Sequence, residues 1–571
     1  MDKENNIVDK ENKLKNVRLG DLLVKSNVLS EEHLQAALEK QKKGRDRLGE
    51  ILVKNGWLTE SQLIEALSNQ LHLPLISTAR YRPMPDAVRL IPKHVAERLQ
   101  VLPLSITDDG HLMVATADPL DLLAADELRI LSETEIDFNL CAASHIRRDL
   151  DRIYSIQESL DDAEIEVMHG VKDDPPPLGD NAIQDDSSVD DAPVIKIVNT
   201  ILEQGIREGS SDIHIEPFEK NTRVRFRVDG QLYSALDFSR GLHPAVTSRI
   251  KIMSGIDISE KRKPQDGRIL IKVLDRRVDL RVSTLPSVYG EKTVIRVLDQ
   301  SAAMVGLEKL GFESQDRDLI DDVLRSPYGI ILVTGPTGSG KSTTLYSFLD
   351  QLNKPEVNII TVEDPVEFSI SGINQVQVDE RSGRTFSSVL RAILRQDPDI
   401  IMLGEIRDGE TANLAIRAAL TGHLVLSTLH TNDATSAPIR LSDMGIQPFL
   451  VASSVRAVIA QRLVRRLCSA CKMEFVMNPN LCRDLGLPEG SKAFRPVGCD
   501  ACRGMGYSGR TSLFEILPMS DPIRERILSQ ESSAEIRNKA IELGMRTLRQ
   551  AGLAKVLNGV TSVEEMMNVT L

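Results

Sequence analysis

Residues 330–343 constrain this chain more than any other stretch. The run Ile330-Ile331-Leu332-Val333-Thr334 is apolar and rich in β-branched residues. It feeds directly into Gly335-Pro336-Thr337-Gly338-Ser339-Gly340-Lys341-Ser342-Thr343. Beyond that, Thr344, Leu345, Phe348, Leu349 and Leu352 recur at helical spacing. A strand, a glycine-rich turn with G-x-x-x-x-G-K-[ST] spacing and a helix, in that order, make a phosphate cradle. The glycines let backbone N–H groups face phosphate oxygens, and the helix N-terminus adds its positive end. In that geometry Lys341 reaches the β- and γ-phosphates and the Ser342 hydroxyl sits on Mg²⁺. A merely flexible Gly/Ser loop would not need spacing, strand and helix to agree.

After about residue 301 strands alternate with helices, which predicts a parallel sheet. Asn358-Ile359-Ile360-Thr361-Val362 reads as a buried strand ending at Glu363-Asp364-Pro365-Val366-Glu367. The run from Asp399 to Gly404 ends at Glu405, and the run from Gly422 to Leu429 carries His423 near its start and His430 at its end. Groups at the carboxyl ends of such strands face the ligand crevice. Glu405 suits an acid that orders a water against the γ-phosphate or holds Mg²⁺ through water. His430 could report the state of that phosphate. Singly, each could be a structural charge at a strand end; three in order after a phosphate loop argue for a site.

The N-terminal region carries a repeat. Arg18-Leu19-Gly20, Leu23, Val24, Val28, Leu29, Leu34, Leu38 and Gln41 recur as Arg47-Leu48-Gly49, Leu52, Val53, Trp57, Leu58, Leu63, Leu67 and Gln70, at a constant offset. Each copy predicts a short helix, a turn at Asn27 or Gly56, an N-cap at Ser30 or Thr59 and a second amphipathic helix. Core packing accounts for the apolar positions but not for the repeated arginine, glycine and glutamine. Glycine admits close approach to the backbone, arginine stacks on a purine or pairs with phosphate, and glutamine hydrogen-bonds a base edge. The pattern resembles the tandem cyclic di-GMP-binding motif of some secretion and pilus ATPases. That resemblance assigns Arg18, Leu19, Gly20, Gln41, Arg47, Leu48, Gly49 and Gln70 to the ligand. Asn27 and Trp57 depart from it.

With 571 residues the chain is too long for one core. Its 41% apolar and 27% charged residues fit a globular protein. A net charge of -13 argues against a nucleic-acid partner or a DNA translocase. No apolar run is long enough to span a bilayer, and the charged stretch from Met1 to Lys15 is no signal peptide. A cytoplasmic protein without direct membrane insertion is expected, peripheral at the inner membrane through partners. Residues 1–16 read as disordered, and 17–155 as the repeat followed by a small α/β unit. Residues 156–191, rich in Asp and Pro, read as an acidic linker. Residues 192–300 read as a second α/β domain, with a turn at Gln265-Asp266-Gly267-Arg268, and 301–571 as the phosphate-loop domain. Cys468-Ser469-Ala470-Cys471 and Cys499-Asp500-Ala501-Cys502 form two C-x-x-C knuckles, which predict a closed, structural Zn²⁺ site. A redox pair is disfavoured by the absence of a thioredoxin-like pattern. Cys141 and Cys482 stand alone and read as buried apolar residues.

Taken together, the motifs resemble those of the GspE/PilB-type secretion ATPases, over residues 17–155 and 192–571. The resemblance implies a multidomain α/β architecture with a RecA-like motor domain, a PAS-like domain at 192–300 and a zinc subdomain at 468–502. It makes 335–343 the Walker A loop, 360–367 the aspartate box, 397–408 the Walker B region and 421–431 the histidine box. It implies that Glu405 is the catalytic glutamate, Glu363 the aspartate-box acid, and His423 and His430 the histidine pair. Arg281, Arg296, Arg391, Arg395 and Arg407 match family arginines at domain or subunit contacts. It implies ATP and Mg²⁺ as cofactors and a homo-hexamer working with inner-membrane platform and docking proteins in type II secretion. Type IV pilus assembly is the alternative, and a non-hydrolysing nucleotide-sensing scaffold is the rival of another class.

Overall fold

The computed structural model describes residues 19–26, 28–43, 47–76, 83–107, 109–168, 193–273, 276–299, 306–502 and 504–570. The expected disordered start, Arg18, Asn27 and most of the acidic linker lie outside the described residues. The chain divides into two units. One comprises residues 1–271 and 280–297, the other 272–279 and 298–571. Among the described residues no helix is long and apolar enough to cross a membrane.

In the first unit the repeat forms four helices: α1 (Leu19–Lys25), α2 (Glu31–Lys43), α3 (Leu48–Lys54) and α4 (Glu60–Leu71). Thr59 caps α4 in a box with Gln62, and Gly56 has φ +71°, a left-handed turn that suits glycine. Leu23, Leu29 and Leu34 of the first copy share one core with Leu52 and Leu58 of the second. A Cβ on Gly20 would lie 2.6 Å from Leu34, and one on Gly49 2.9 Å from Leu63. Both glycines thus pack closely against the second helix of their own copy. Trp57 stacks on His33 at 4.9 Å, with the Lys40 ammonium 5.0 Å from its ring centroid, so the departure at 57 is used in packing.

After α5 (Pro85–Leu90) and α6 (Lys93–Leu99) come β1 (Val101–Ile106) and β2 (Leu112–Thr116), the antiparallel pair expected from the sequence. α7 (Leu122–Ser132) leads to β3 (Ile136–Leu140), which joins β2 in parallel. α8 (Ala143–Met168) runs well into the stretch read as linker. Tyr154 and Leu160 are buried, and Asp161 accepts from Arg89 Nε at 2.9 Å. Asp162 is exposed and Asp161 half-buried on a helix anchored by Tyr154 and Leu160, and composition alone hid that anchoring.

α9 (Pro193–Arg207) and α10 (His243–Met253) belong with a six-stranded sheet of order β6-β5-β4-β9-β8-β7. Its strands are β4 (Asp212–Pro217), β5 (Asn221–Val228), β6 (Gln231–Ser239), β7 (Gln265–Val273), β8 (Arg276–Ser287) and β9 (Gly290–Asp299). The turn expected at 265–268 is instead the start of β7. Gly267 is needed there because a Cβ would lie 2.4 Å from the Ser254 carbonyl oxygen.

The second unit contains α11 (Ser314–Leu324) and is built on a seven-stranded sheet of order β12-β11-β13-β14-β10-β15-β18. β10 (Gly329–Thr334) leads through the glycine loop into α12 (Lys341–Leu352). β11 (Ile359–Glu363) and β12 (Asn374–Gln377) are followed by α13 (Phe386–Ile393), β13 (Ile400–Leu403), α14 (Gly409–Leu420) and β14 (Leu424–Leu429). α15 (Ser436–Asp443) and α16 (Pro448–Ser454) precede β15 (Val455–Leu467). All neighbouring pairs from β12 to β15 are parallel. β10, β11, β13 and β14 are buried throughout, as continuous apolar runs must be when both faces are covered.

β18 (Tyr507–Pro518) closes the sheet antiparallel to β15. Between them lie the hairpin β16 (Met473–Val476) with β17 (Lys492–Arg495) and the helix α17 (Pro479–Leu485). Cys482 is buried there with Val556 and Met566, and Cys141 is buried beside Ile146 and Leu150, both as apolar core residues. Four helices end the chain: α18 (Asp521–Leu528), α19 (Ser533–Glu542), α20 (Leu548–Leu557) and α21 (Val563–Thr570).

Candidate active site

Sheet register assembles the site. β13 and β14 pair Leu403 with Ser427, and β14 and β10 pair Leu429 with Thr334. Glu363, Glu405, His430 and Gly335 therefore lie at the carboxyl edge of four adjacent parallel strands, β11, β13, β14 and β10. The edge is tied laterally: Thr428 Oγ1 donates to the Gly404 carbonyl at 2.7 Å, and the Ile406 amide to the Thr428 carbonyl at 3.1 Å.

The loop after β10 needs its glycines. Gly335 has φ +147°, and a Cβ there would stand 2.5 Å from the Gln461 carbonyl oxygen. Gly340, at φ +89°, turns the chain into α12. Lys341 folds back over the loop and donates to the carbonyls of Gly335 at 2.9 Å and Pro336 at 3.1 Å. Burial pulls its ammonium below the ordinary lysine range; nearby Arg462 adds to that pull, and Glu405 opposes it. Pro336, Thr337, Gly338 and Ser342 are exposed at the mouth, with Thr343 half-buried behind them. The Thr334 and Ser339 hydroxyls are buried with no hydrogen-bond partner. A loop of free polar groups and strained glycines fits a bound polyphosphate.

Glu405 accepts from Arg407 Nε at 2.6 Å and lies 3.0 Å from His430 Nε2. Burial alone would raise its pKa, but the bonds from Arg407 and His430 outweigh burial and hold the carboxyl below the ordinary range. Arg407 also approaches Asp364 at 3.5 Å. Glu363 is buried and accepts from Thr361 Oγ1 at 2.6 Å, from Gln375 Nε2 at 3.1 Å and from the Tyr346 hydroxyl. Tyr346 lies on α12, so the helix after the loop also clamps the acid of the neighbouring strand.

Other expected residues of this unit stand away from that edge. His423 precedes β14 and His430 follows it, so the two stand at opposite ends of one strand, on the order of 20 Å apart. His423 Nδ1 lies 2.9 Å from the Ala418 carbonyl and 3.2 Å from Thr421 Oγ1, at the end of α14. Of the histidine pair, His430 alone lies at the loop edge within this chain. Arg391 on α13 pairs with Glu410, and Arg395 donates to the Arg391 carbonyl at 2.8 Å; both are exposed. Arg281 lies on β8 and Arg296 on β9, in the other unit, where Arg296 Nε meets Asp212 at 3.3 Å.

Three groups escaped the sequence reading. Tyr346 and Gln375 hold Glu363, and Arg462 flanks the glycine loop. Position on a strand beside the loop strand is the signal for Arg462, and one sequence does not give strand order.

The four knuckle cysteines converge, with all sulfurs within 4.8 Å of one another. Cys468–Cys499 and Cys499–Cys502 are each 3.8 Å apart and Cys471–Cys502 3.7 Å. Tetrahedral Zn–S bonds would separate sulfurs by about 3.8 Å. The Gly498, Cys499 and Gly506 amides donate to these sulfurs at 3.3, 3.2 and 3.1 Å, as thiolate ligands require. In the repeat, Arg47 pairs with Asp118, Leu48 and Gly49 open α3, and Gln41 lies in α2 and Gln70 in α4.

A family model described as "Type II/IV secretion system protein" matches residues 187–568. Another, "MshEN domain", matches residues 71–160, the stretch after the repeat. The chain is 45% identical to the type IV pilus assembly ATPase PilB of Myxococcus xanthus, over 97% of this chain and 99% of that one. It is also 45% identical to the type II secretion system protein E of Pectobacterium carotovorum, over 84% of this chain and 97% of that one. Among solved structures, the ATPase DotB of Legionella pneumophila matches with a TM-score of 0.50 and 21% identity, covering 66% of this chain and 95% of that one. At that identity the likeness speaks for the fold alone.

Proposed function

Because the chain belongs to the type II/IV secretion system protein family and is a P-loop ATPase, we propose that it hydrolyses ATP to ADP and phosphate to drive pseudopilus assembly for type II protein secretion. The observation that carries this reading is the convergence of Lys341, Glu405 and His430 on one sheet edge. Lys341 and the loop amides neutralise the phosphates. Ser342, exposed at the mouth of the loop, would hold Mg²⁺, which would supply further charge neutralisation. Glu405, kept ionised by Arg407 and His430, orients the attacking water and takes its proton. Glu363, fixed by Tyr346, completes the acidic edge.

Work on a membrane-bound machine fits a cytoplasmic homo-hexamer with platform and docking partners. Arg281 and Arg296 from the PAS-like domain, and Arg391 and Arg395 from the surface of the RecA-like motor, then complete contacts between domains or subunits. Cys468, Cys471, Cys499 and Cys502 would hold a structural Zn²⁺. Cyclic di-GMP, suggested by the MshEN match, regulates turnover from the N-terminal region.

A second reading, type IV pilus assembly, is favoured by one observation: the likeness to a pilus assembly ATPase runs along nearly the whole chain, N-terminal region included. The platform protein that co-purifies with the chain separates the two. Phosphate release by wild type, K341A and E405Q tests the enzyme itself. K341A is expected to lose nucleotide binding. E405Q is expected to keep binding and lose turnover by about 10²- to 10⁴-fold. Full turnover in either variant would remove its assigned role.

A further inference from the structure

We propose that Arg462 is a phosphate-binding cation of the ATP site, supplied by the same chain and taking an oxygen of the terminal phosphate. The proposal rests on the ATPase reading above and adds a group that reading lacks.

The register brings Arg462 to the loop. β15 runs parallel to β10 with Ala460 opposite Thr334, so the next two residues pass the edge where the glycine loop begins. A Cβ built on Gly335 would lie 3.2 Å from Arg462 Nη1. On its other side Arg462 Nη2 donates to the Asn432 carbonyl at 2.9 Å, in the segment that follows His430. The guanidinium thus bridges the loop after β10 and the loop after β14.

The charge pattern points to an anion. The hydrogen bonds of Arg462 go to neutral oxygens: Gln461 O at 3.3 Å, Asn432 O, and Asn432 Oδ1 at 3.5 Å. Among the described residues no salt bridge to a carboxylate is formed by it. Burial lowers its pKa more than nearby Asp433 and Glu515 raise it, and it lies near enough to Lys341 to lower that ammonium too. The acid that faces Lys341 is Glu405, already engaged by Arg407 and His430. Asp433 and Glu515 act on Arg462, and Glu405 on Lys341, only at longer range, and among the described residues neither cation has a salt bridge, so two partly desolvated cations beside a phosphate loop are costly until a polyanion joins them. A guanidinium also offers more than one donor, so it can take a phosphate oxygen while keeping the Asn432 carbonyl.

The test uses the full chain with R462A and R462Q; the glutamine keeps a donor for the Asn432 carbonyl and drops the charge. Affinity is measured for a non-hydrolysable ATP analogue and for ADP, with K341A in parallel. Both Arg462 variants should bind the analogue about ten- to a hundredfold more weakly. ADP affinity should fall by less than about threefold, and turnover should drop with the analogue affinity. Wild-type analogue affinity in R462Q overturns the proposal, as does an equal loss for analogue and ADP. If R462A does not fold, R462Q decides alone. K341A that binds the analogue normally would instead remove the ATPase reading, so the two failures are distinct.

Discussion

His423 and His430 belong to one sequence motif, yet β14 holds them apart. His430 touches the acid at the loop edge, and His423 sits at the end of α14. H430A is therefore expected to lower turnover with little loss of stability. H423A is expected to cost about 1 kcal/mol in thermal unfolding, with turnover kept. Glu405 carries a pH signature. Its folded pKa lies below the ordinary value of 4.5, so its pairing with Arg407 and His430 stabilises the site above that value. The contribution disappears as pH falls through the lower, folded pKa. R407A leaves burial less opposed and raises the carboxyl. The acid limb of its turnover profile should move to higher pH than in wild type, and an unmoved limb would sever Arg407 from Glu405.

At the scale of elements, α12 does two jobs. Its first turn closes the phosphate loop, and Tyr346, one turn later, binds the buried Glu363. Burial and the neighbouring carboxylate push the Tyr346 pKa up, so the phenol stays a donor at all working pH values. Y346F leaves Glu363 one donor short in the interior. It is expected to cost about 1–3 kcal/mol, read as a lower unfolding temperature. The knuckles are a second element-scale feature, an insertion between β15 and β18 closed by four sulfurs. One metal ion per chain is expected by elemental analysis. C471S or a strong chelator should remove it and lower the unfolding temperature. The strands, the loop and the knuckles were legible because periodicity and spacing are local. The length of α8 and the start of β7 were not: in both, a polar or glycine-containing segment is held by distant contacts, Leu160 in the core and Gly267 against the Ser254 carbonyl.

For the whole molecule, the N-terminal repeat and the small α/β unit are linked by the Arg47–Asp118 pair. If cyclic di-GMP draws on Arg47, calorimetric titration of the full chain should show binding that weakens about tenfold in R47A. Heat unchanged in R47A would take that arginine out of the site. The repeated glycines, read from sequence as room for a ligand, also face Leu34 and Leu63, whose side-chain ends would have to shift for a Cβ. A repeat fixes which positions are equivalent, but only packing says why a small residue is needed.

By itself the sequence determined the phosphate loop, the acids at strand ends, the cysteine pairs and the tandem helices, because each is encoded in spacing along the chain. Tertiary structure alone decided which strand ends are neighbours. The order β11-β13-β14-β10-β15 brings Glu363, Glu405, His430, Lys341 and Arg462 to one edge and leaves His423 at the other. That choice rests on how the strands pair, a property of contacts between residues remote in sequence.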